Sequence, residues 1–104
     1  MKIYIKREKS GINVVGEYNV ETKEVTVKKG SVVSENIAYS EKFKGAKTIE
    51  HHRAGVIKDR ILIKDMVFKS ASTAANFATG ASTNGLIAWK TEDGKKLKDA
   101  LSND

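Results

Sequence analysis

Residues 1–30, MKIYIKREKSGINVVGEYNVETKEVTVKKG, decide the fold class. Ile3 and Ile5 alternate with Lys2, Tyr4 and Lys6, the two-residue period of a strand with one buried face. Ser10-Gly11 interrupts the pattern. The alternation resumes at Ile12 and runs through Val14, Gly16, Tyr18 and Val20, until Glu21-Thr22-Lys23 offers a polar turn. Val25 and Val27 then alternate with Glu24, Thr26 and Lys28. Three short strands with tight connections predict an antiparallel meander whose polar face is rich in lysine.

Lys29-Gly30-Ser31 closes that unit. Residues 31–46 lack a clean period and read as loop, with Val32 and Val33 set among Ser34, Glu35, Asn36, Ser40 and Gly45. From Ala46 to Lys58 the pattern becomes helical, with Ile49, Arg53, Val56 and Ile57 at three- and four-residue steps. Gly55 costs such a helix up to about 1 kcal/mol. The apolar runs 61–63 and 66–68 read as two short strands around a turn at Lys64-Asp65. Ser70 or Ser72 can cap a helix through Thr73–Ala78, because a serine oxygen accepts the free amide protons of a first turn. Gly80 supplies a left-handed stop. Asn84-Gly85 predicts a positive-φ turn into a short apolar strand from Leu86 to Trp89. Asp93-Gly94 predicts another turn, and Lys95–Leu101 a final amphipathic piece with Leu97, Ala100 and Leu101 inward. The expected architecture is α+β: a small antiparallel sheet with two or three short helices packed on it, in one domain covering residues 1–104.

A chain of 104 residues has the size of one ordinary domain and can build a core without staples. It needs to, because it contains no cysteine. Disulfides and cysteine-based metal sites are excluded, which favours a cytoplasmic location. No stretch has the apolar length of a secretory signal or a membrane span, so no membrane partner is expected. Nineteen basic residues against 13 acidic ones give a net charge of +6. Residues 1–52 hold 10 basic and 7 acidic side chains and residues 53–104 hold 9 and 6, so each half carries +3. A surplus of this sign points to a nucleic-acid or other anionic partner, unless it is only a solvated surface. Arg7, Arg53 and Arg60 are the only arginines. Lysine suits phosphate contacts better than bidentate reading of base edges.

Few constellations carry chemistry. His51-His52 invites a metal, but neighbours on a helix point about 100° apart and no third ligand is spaced to help, so a surface pair is the simpler reading. No nucleophile elbow, phosphate loop or zinc-protease helix is present, so neither catalysis nor a cofactor is expected. Trp89, the single tryptophan, reads first as a core anchor and second as a stacking surface beside Lys90. The segment from Lys69 to Lys90 is the most informative, with six Ser or Thr residues and four alanines before Gly80. Amides at a helix start attract anions, so Ser70, Ser72 and Thr73, with Lys69 beside them, are candidate phosphate contacts. The alternative is that these residues only cap a helix packed closely on the sheet.

That segment also resembles the DUF4357 family, a prokaryotic domain of unknown function that often follows GIY-YIG-type nuclease domains. The family pattern runs as an aromatic, Ser-Pro-Ser-Ala-Ala-Ala, an apolar stretch, Gly-Arg-Ser-Ala-Asn-Gly-Trp, Trp-Lys and Asp-Gly-Lys-x-Leu. Phe68, Ser70, Ser72, Ala74, Ala75, Gly80, Ser82, Asn84, Gly85, Trp89, Lys90, Asp93, Gly94, Lys95 and Leu97 fill it. Val27-Lys28-Lys29-Gly30-Ser31 resembles the Gly-Ser step at the start of such domains. The resemblance covers about residues 23–101 and is dense over 68–97. A similar Ser-x-Ser-x-Ala-Ala and Asn-Gly-Trp pattern occurs in RAMA, a restriction-associated domain thought to recognise modified DNA. Ala71 stands where proline is usual, Ala81 where arginine is usual and Leu86 where tryptophan is common. Losing an arginine and an aromatic removes two groups suited to gripping nucleic acid.

The leading expectation is a non-catalytic DNA-binding module in restriction-modification or mobile-element biology. Lysines would set affinity on double-stranded DNA, and Lys69, Ser70, Ser72, Thr73, Asn84, Trp89, Lys90 and Lys95 would line the contact. The rival is a protein-interaction or self-association module using the same small-residue face or a free sheet edge.

Overall fold

The computed structural model describes residues 1–39 and 45–102. The meander forms as its alternation predicts. Strand β1 (Lys2–Arg7) pairs antiparallel with β2 (Ile12–Tyr18) in the register Ile3↔Gly16 and Ile5↔Val14. Strand β3 (Val25–Val27) comes next, with Gly16↔Val27 and Tyr18↔Val25. Partners in an antiparallel ladder share a face, so Ile3, Ile5, Ile12, Val14, Tyr18, Val25 and Val27 are all buried on one side. The strand pattern expected through Val20 stops two residues earlier. The Asn19 side-chain oxygen accepts the amides of Glu21 (2.9 Å) and Thr22 (3.1 Å), a turn that leaves Val20 58% exposed.

The stretch read as loop after Gly30 is anchored rather than free. Val32 bridges to Asn13, Val33 is fully buried, and the Ser34 amide donates to Ala78 O at 2.9 Å. Residues 40–44 of that stretch, Ser40 included, lie outside the described residues. Helix α1 runs Ala46–Arg53 and ends well short of the expected Lys58. Gly55, at φ 76°, breaks it, so Val56 and Ile57 fall outside the helix. Beyond the break, β4 (Ile57–Lys58) and β5 (Ile61–Leu62) form a hairpin around Asp59 and Arg60, both at positive φ. The runs at 61–63 and 66–68 are therefore not partners. β5 pairs with β4, whereas β6 (Met66–Phe68) adds to β3 and completes a sheet of order β1-β2-β3-β6. Short apolar runs are compatible with either pairing, and the location of the turn residues decides.

Helix α2 (Ala71–Thr79) is built as its sequence requires. Ser70 Oγ accepts the Thr73 amide at 3.1 Å, and Gly80 at φ 74° ends the helix. Its alanines let it approach the inner sheet face closely: Ala71, Ala74, Ala75 and Ala78 are buried with Phe77. The segment expected as a strand after Asn84 is instead helix α3 (Gly85–Ala88), capped by the Asn84 side chain on Leu86 N at 3.1 Å. Gly85 has no positive φ. It is glycine because α3 presses on α2, so that a β-carbon there would collide with the Ala71 carbonyl. Helix α4 (Leu97–Leu101) ends the described fold, with Leu97 buried. The chain is thus α+β, with four helical segments among the described residues where two or three were expected.

Candidate functional site

All of this covering lies on one side of the sheet. The other side presents Lys2, Tyr4 and Lys6 of β1, Asn13, Val15 and Glu17 of β2, Thr26 of β3 and Val67 of β6, none of them buried. The backbone beyond β1 extends this face. The Tyr4 amide donates to Lys90 O at 2.7 Å and the Lys90 amide to Tyr4 O at 2.9 Å, so Lys90 acts as an added strand residue. Paired residues share a face, which puts the Lys90 side chain beside Tyr4 and sends its neighbour Trp89 inward. Lys96 bridges to Lys90 in turn and joins the same face, while Leu97 turns inward.

A cleft of about 650 Å³ opens along this extended edge. Tyr4, Lys6 and Arg7 of β1 form one wall, and Ser82–Asn84, Ile87 and Ala88 another. The turn from Lys90 to Gly94 closes the end. Thr91 rigidifies that turn: its amide donates to Lys95 O at 2.8 Å and its hydroxyl to the Asp93 carboxylate. The Thr91 hydroxyl bond is the main reason the Asp93 carboxyl sits below its ordinary pKa. Lys6 Nζ lies 4.9 Å from the Tyr4 ring centroid, a cation–π contact. Ion pairs among the described residues join the Met1 amine to Glu17 and Lys28 to Asp65, so Lys6, Arg7 and Lys90 have no carboxylate partner there. Around the cleft these three cations face one carboxylate, Glu92.

The eight residues singled out from the sequence do not gather in one place. Asn84 and Lys90 line the cleft. Lys95 is exposed in the adjoining turn. Lys69 is exposed after β6, at the opposite edge of the sheet. Ser70 and Thr73 bond each other at 2.9 Å within the α2 cap, and the Ser72 hydroxyl accepts the Gly85 amide at 3.0 Å. Ser70 and Thr73 thus close the start of α2, and Ser72 ties α2 to α3. Trp89 is fully buried, and its indole N–H donates to Ala71 O at 2.9 Å, so it offers no stacking surface. Tyr4, Lys6 and Arg7 are site residues that sequence reasoning missed. Their signal is the lysine-rich polar face of the first strand, but nothing local says that the chain end returns beside it.

A second groove, of about 630 Å³, runs past Arg7, Glu8, Lys9 and Arg60. The Arg60 guanidinium there is engaged by Val33 O at 3.1 Å and by Ser10 O, a structural tie. His52 packs edge-on against Phe68 at 5.3 Å, and no group of three potential metal ligands occurs among the described residues. No helix among them is long and apolar enough to cross a membrane.

The family model described as Domain of unknown function (DUF4357) matches residues 4–101. The chain belongs to the DUF4357 family. The DUF4357 match begins on β1 and ends on α4, so it includes the first two strands, which lie outside the resemblance over 23–101. The whole cleft, from Tyr4 to Gly94, therefore lies within the DUF4357 domain. No curated protein and no solved structure matches the chain.

Proposed function

We propose that this DUF4357 domain is a non-catalytic DNA-binding module that meets double-stranded DNA with the uncovered face of its sheet. The observation that carries this reading is the set of cations around the cleft without carboxylate partners among the described residues: Lys6 and Lys90 on the open face with Lys2 and Lys96, and Arg7 at the end of β1, which strand alternation turns to the other side. A sheet face that no helix among the described residues covers, and whose strand carboxylate, Glu17, is engaged by the Met1 amine, suits a phosphate backbone. Restriction, modification or mobile-element biology is the setting that the RAMA-like pattern suggests.

Fluorescence anisotropy with short duplexes, unmodified and adenine-methylated, tests the reading at two salt concentrations. About four phosphate contacts imply roughly 100-fold weaker binding between about 50 and about 200 mM salt. The double variant Lys6→Glu/Lys90→Glu should remove most of the low-salt affinity. Wild-type affinity in that variant, or no binding at low salt, would overturn the assignment. A preference between the two duplexes would add modified-base recognition.

One observation favours the rival reading of a protein-interaction module. Leu86 and Ile87, adjacent on α3, are each 41% exposed. A partner docking there would bind through apolar contact and resist salt.

A further inference from the structure

We infer that the cleft beside β1 is a pocket for one unpaired nucleotide of a bound strand, taking the base inside and its flanking phosphates on Lys6, Arg7 and Lys90. This rests on the nucleic-acid reading and sharpens it. A paired duplex needs only a charged surface, and a concavity adds nothing to gripping it. The cleft has the volume of sites that enclose small organic groups.

Its lining suits a heteroaromatic ring. Tyr4 supplies an aromatic face and Ile87 and Ala88 supply apolar contact. Around them stand polar groups able to meet a base edge: the Tyr4 and Ser82 hydroxyls and the Asn84 amide. The Asn84 oxygen is taken by the Leu86 amide at 3.1 Å, which fixes the side chain and leaves its NH2 group as the donor. Lys6 now rests over the Tyr4 ring at 4.9 Å. A phosphate is a stronger partner for it than the ring, so arrival of a nucleotide would free that ring face for stacking.

The cations extend beyond what a free nucleotide could use. Lys96 lies in register with Lys90, and Lys2 lies two residues along β1 from Tyr4, on the same face. Charge on both sides of the pocket fits a strand running through it. Extracting a paired base costs unstacking and unpairing, whereas an already unpaired base costs least. Discrimination between the two is the signature of the pocket.

The test is anisotropy at low salt with a fully paired duplex and the same duplex carrying a one-nucleotide bulge, each challenged by free nucleoside monophosphate. The bulged duplex should bind about tenfold tighter or more, as one stacked base implies. Tyr4→Ala should abolish the difference and Tyr4→Phe should retain it. Ser82→Trp, at an exposed loop position, should abolish it by filling the cleft without touching the core. Equal affinity for the two duplexes would overturn the pocket while leaving DNA binding intact. Absence of binding to either would overturn both. Displacement of the bulged duplex by free monophosphate at comparable concentration would overturn the assignment to a strand.

Discussion

Trp89 fits its first reading, a core anchor, and not its second, a stacking surface. Beside Lys90 and a charged turn it has the setting of a stacking platform, yet its ring fills the core and its N–H satisfies Ala71 O. Gly16 on β2 makes room for it: a β-carbon there would lie 3.1 Å from the indole ring. Trp89→Phe should therefore lower unfolding stability by about 2–3 kcal/mol in urea titrations, through lost volume and an unpaired buried carbonyl. Its low-salt DNA affinity should match wild type under conditions where both are folded. Reduced affinity with undiminished stability would restore a direct contact role. Arg53 is a second case, which spacing places in a helix's buried stripe. Its guanidinium instead ties α1 to Phe77 O (2.6 and 3.1 Å) and to Ser34 O (3.0 Å). Burial pushes its pKa down to about 10, which leaves it charged at neutral pH.

At the scale of elements, the meander and the start of α2 were legible, whereas the partners of β5 and β6 and the helix after Asn84 were not. Ser70 and Gly80 delimit α2 by local bonding, which a sequence displays directly. Asn84-Gly85 carries the signals of a turn and of a cap equally, and only contact with α2 selects the helix. Ser70→Ala should destabilise the domain by about 1 kcal/mol, measured as a shift in denaturation midpoint, and Ser70→Asp should recover most of it. If Ser70 works only as a cap, DNA affinity of the folded variant should not change. An unshifted midpoint with weakened DNA binding would reverse that view.

Over the whole molecule, electrostatics tie segments far apart in sequence, here the end of β3 to the start of its neighbour β6. Asp65, just before β6, accepts the Lys29 amide at 2.7 Å and the Lys28 ammonium at 3.3 Å. These bonds, the amide first, lower its carboxyl below the ordinary 3.8. A folded pKa beneath the unfolded one means the stabilisation is complete above 3.8 and is lost as pH falls through the lowered folded value. Melting temperatures of wild type and Asp65→Asn should accordingly differ at neutral pH and converge once the pH falls below the lowered folded pKa. A constant gap across that range would show that the carboxylate charge contributes nothing.

The first 28 residues determined the meander and its lysine face, because strand alternation and turn chemistry are local properties. The Ser70 cap, the Gly80 stop, the buried Leu97 and membership of DUF4357 were equally legible. Contacts distant in sequence were not. The β3–β6 pairing, the Lys90–Tyr4 bridge and the Gly85–Ala71 approach depend on which surfaces meet once the core closes. The cleft belongs to this second group. Lys6 and Lys90 stand 84 positions apart, and no periodicity links them. Burial of Trp89 and Leu97 against the sheet draws the chain's last third alongside β1, and that packing brings the cations together.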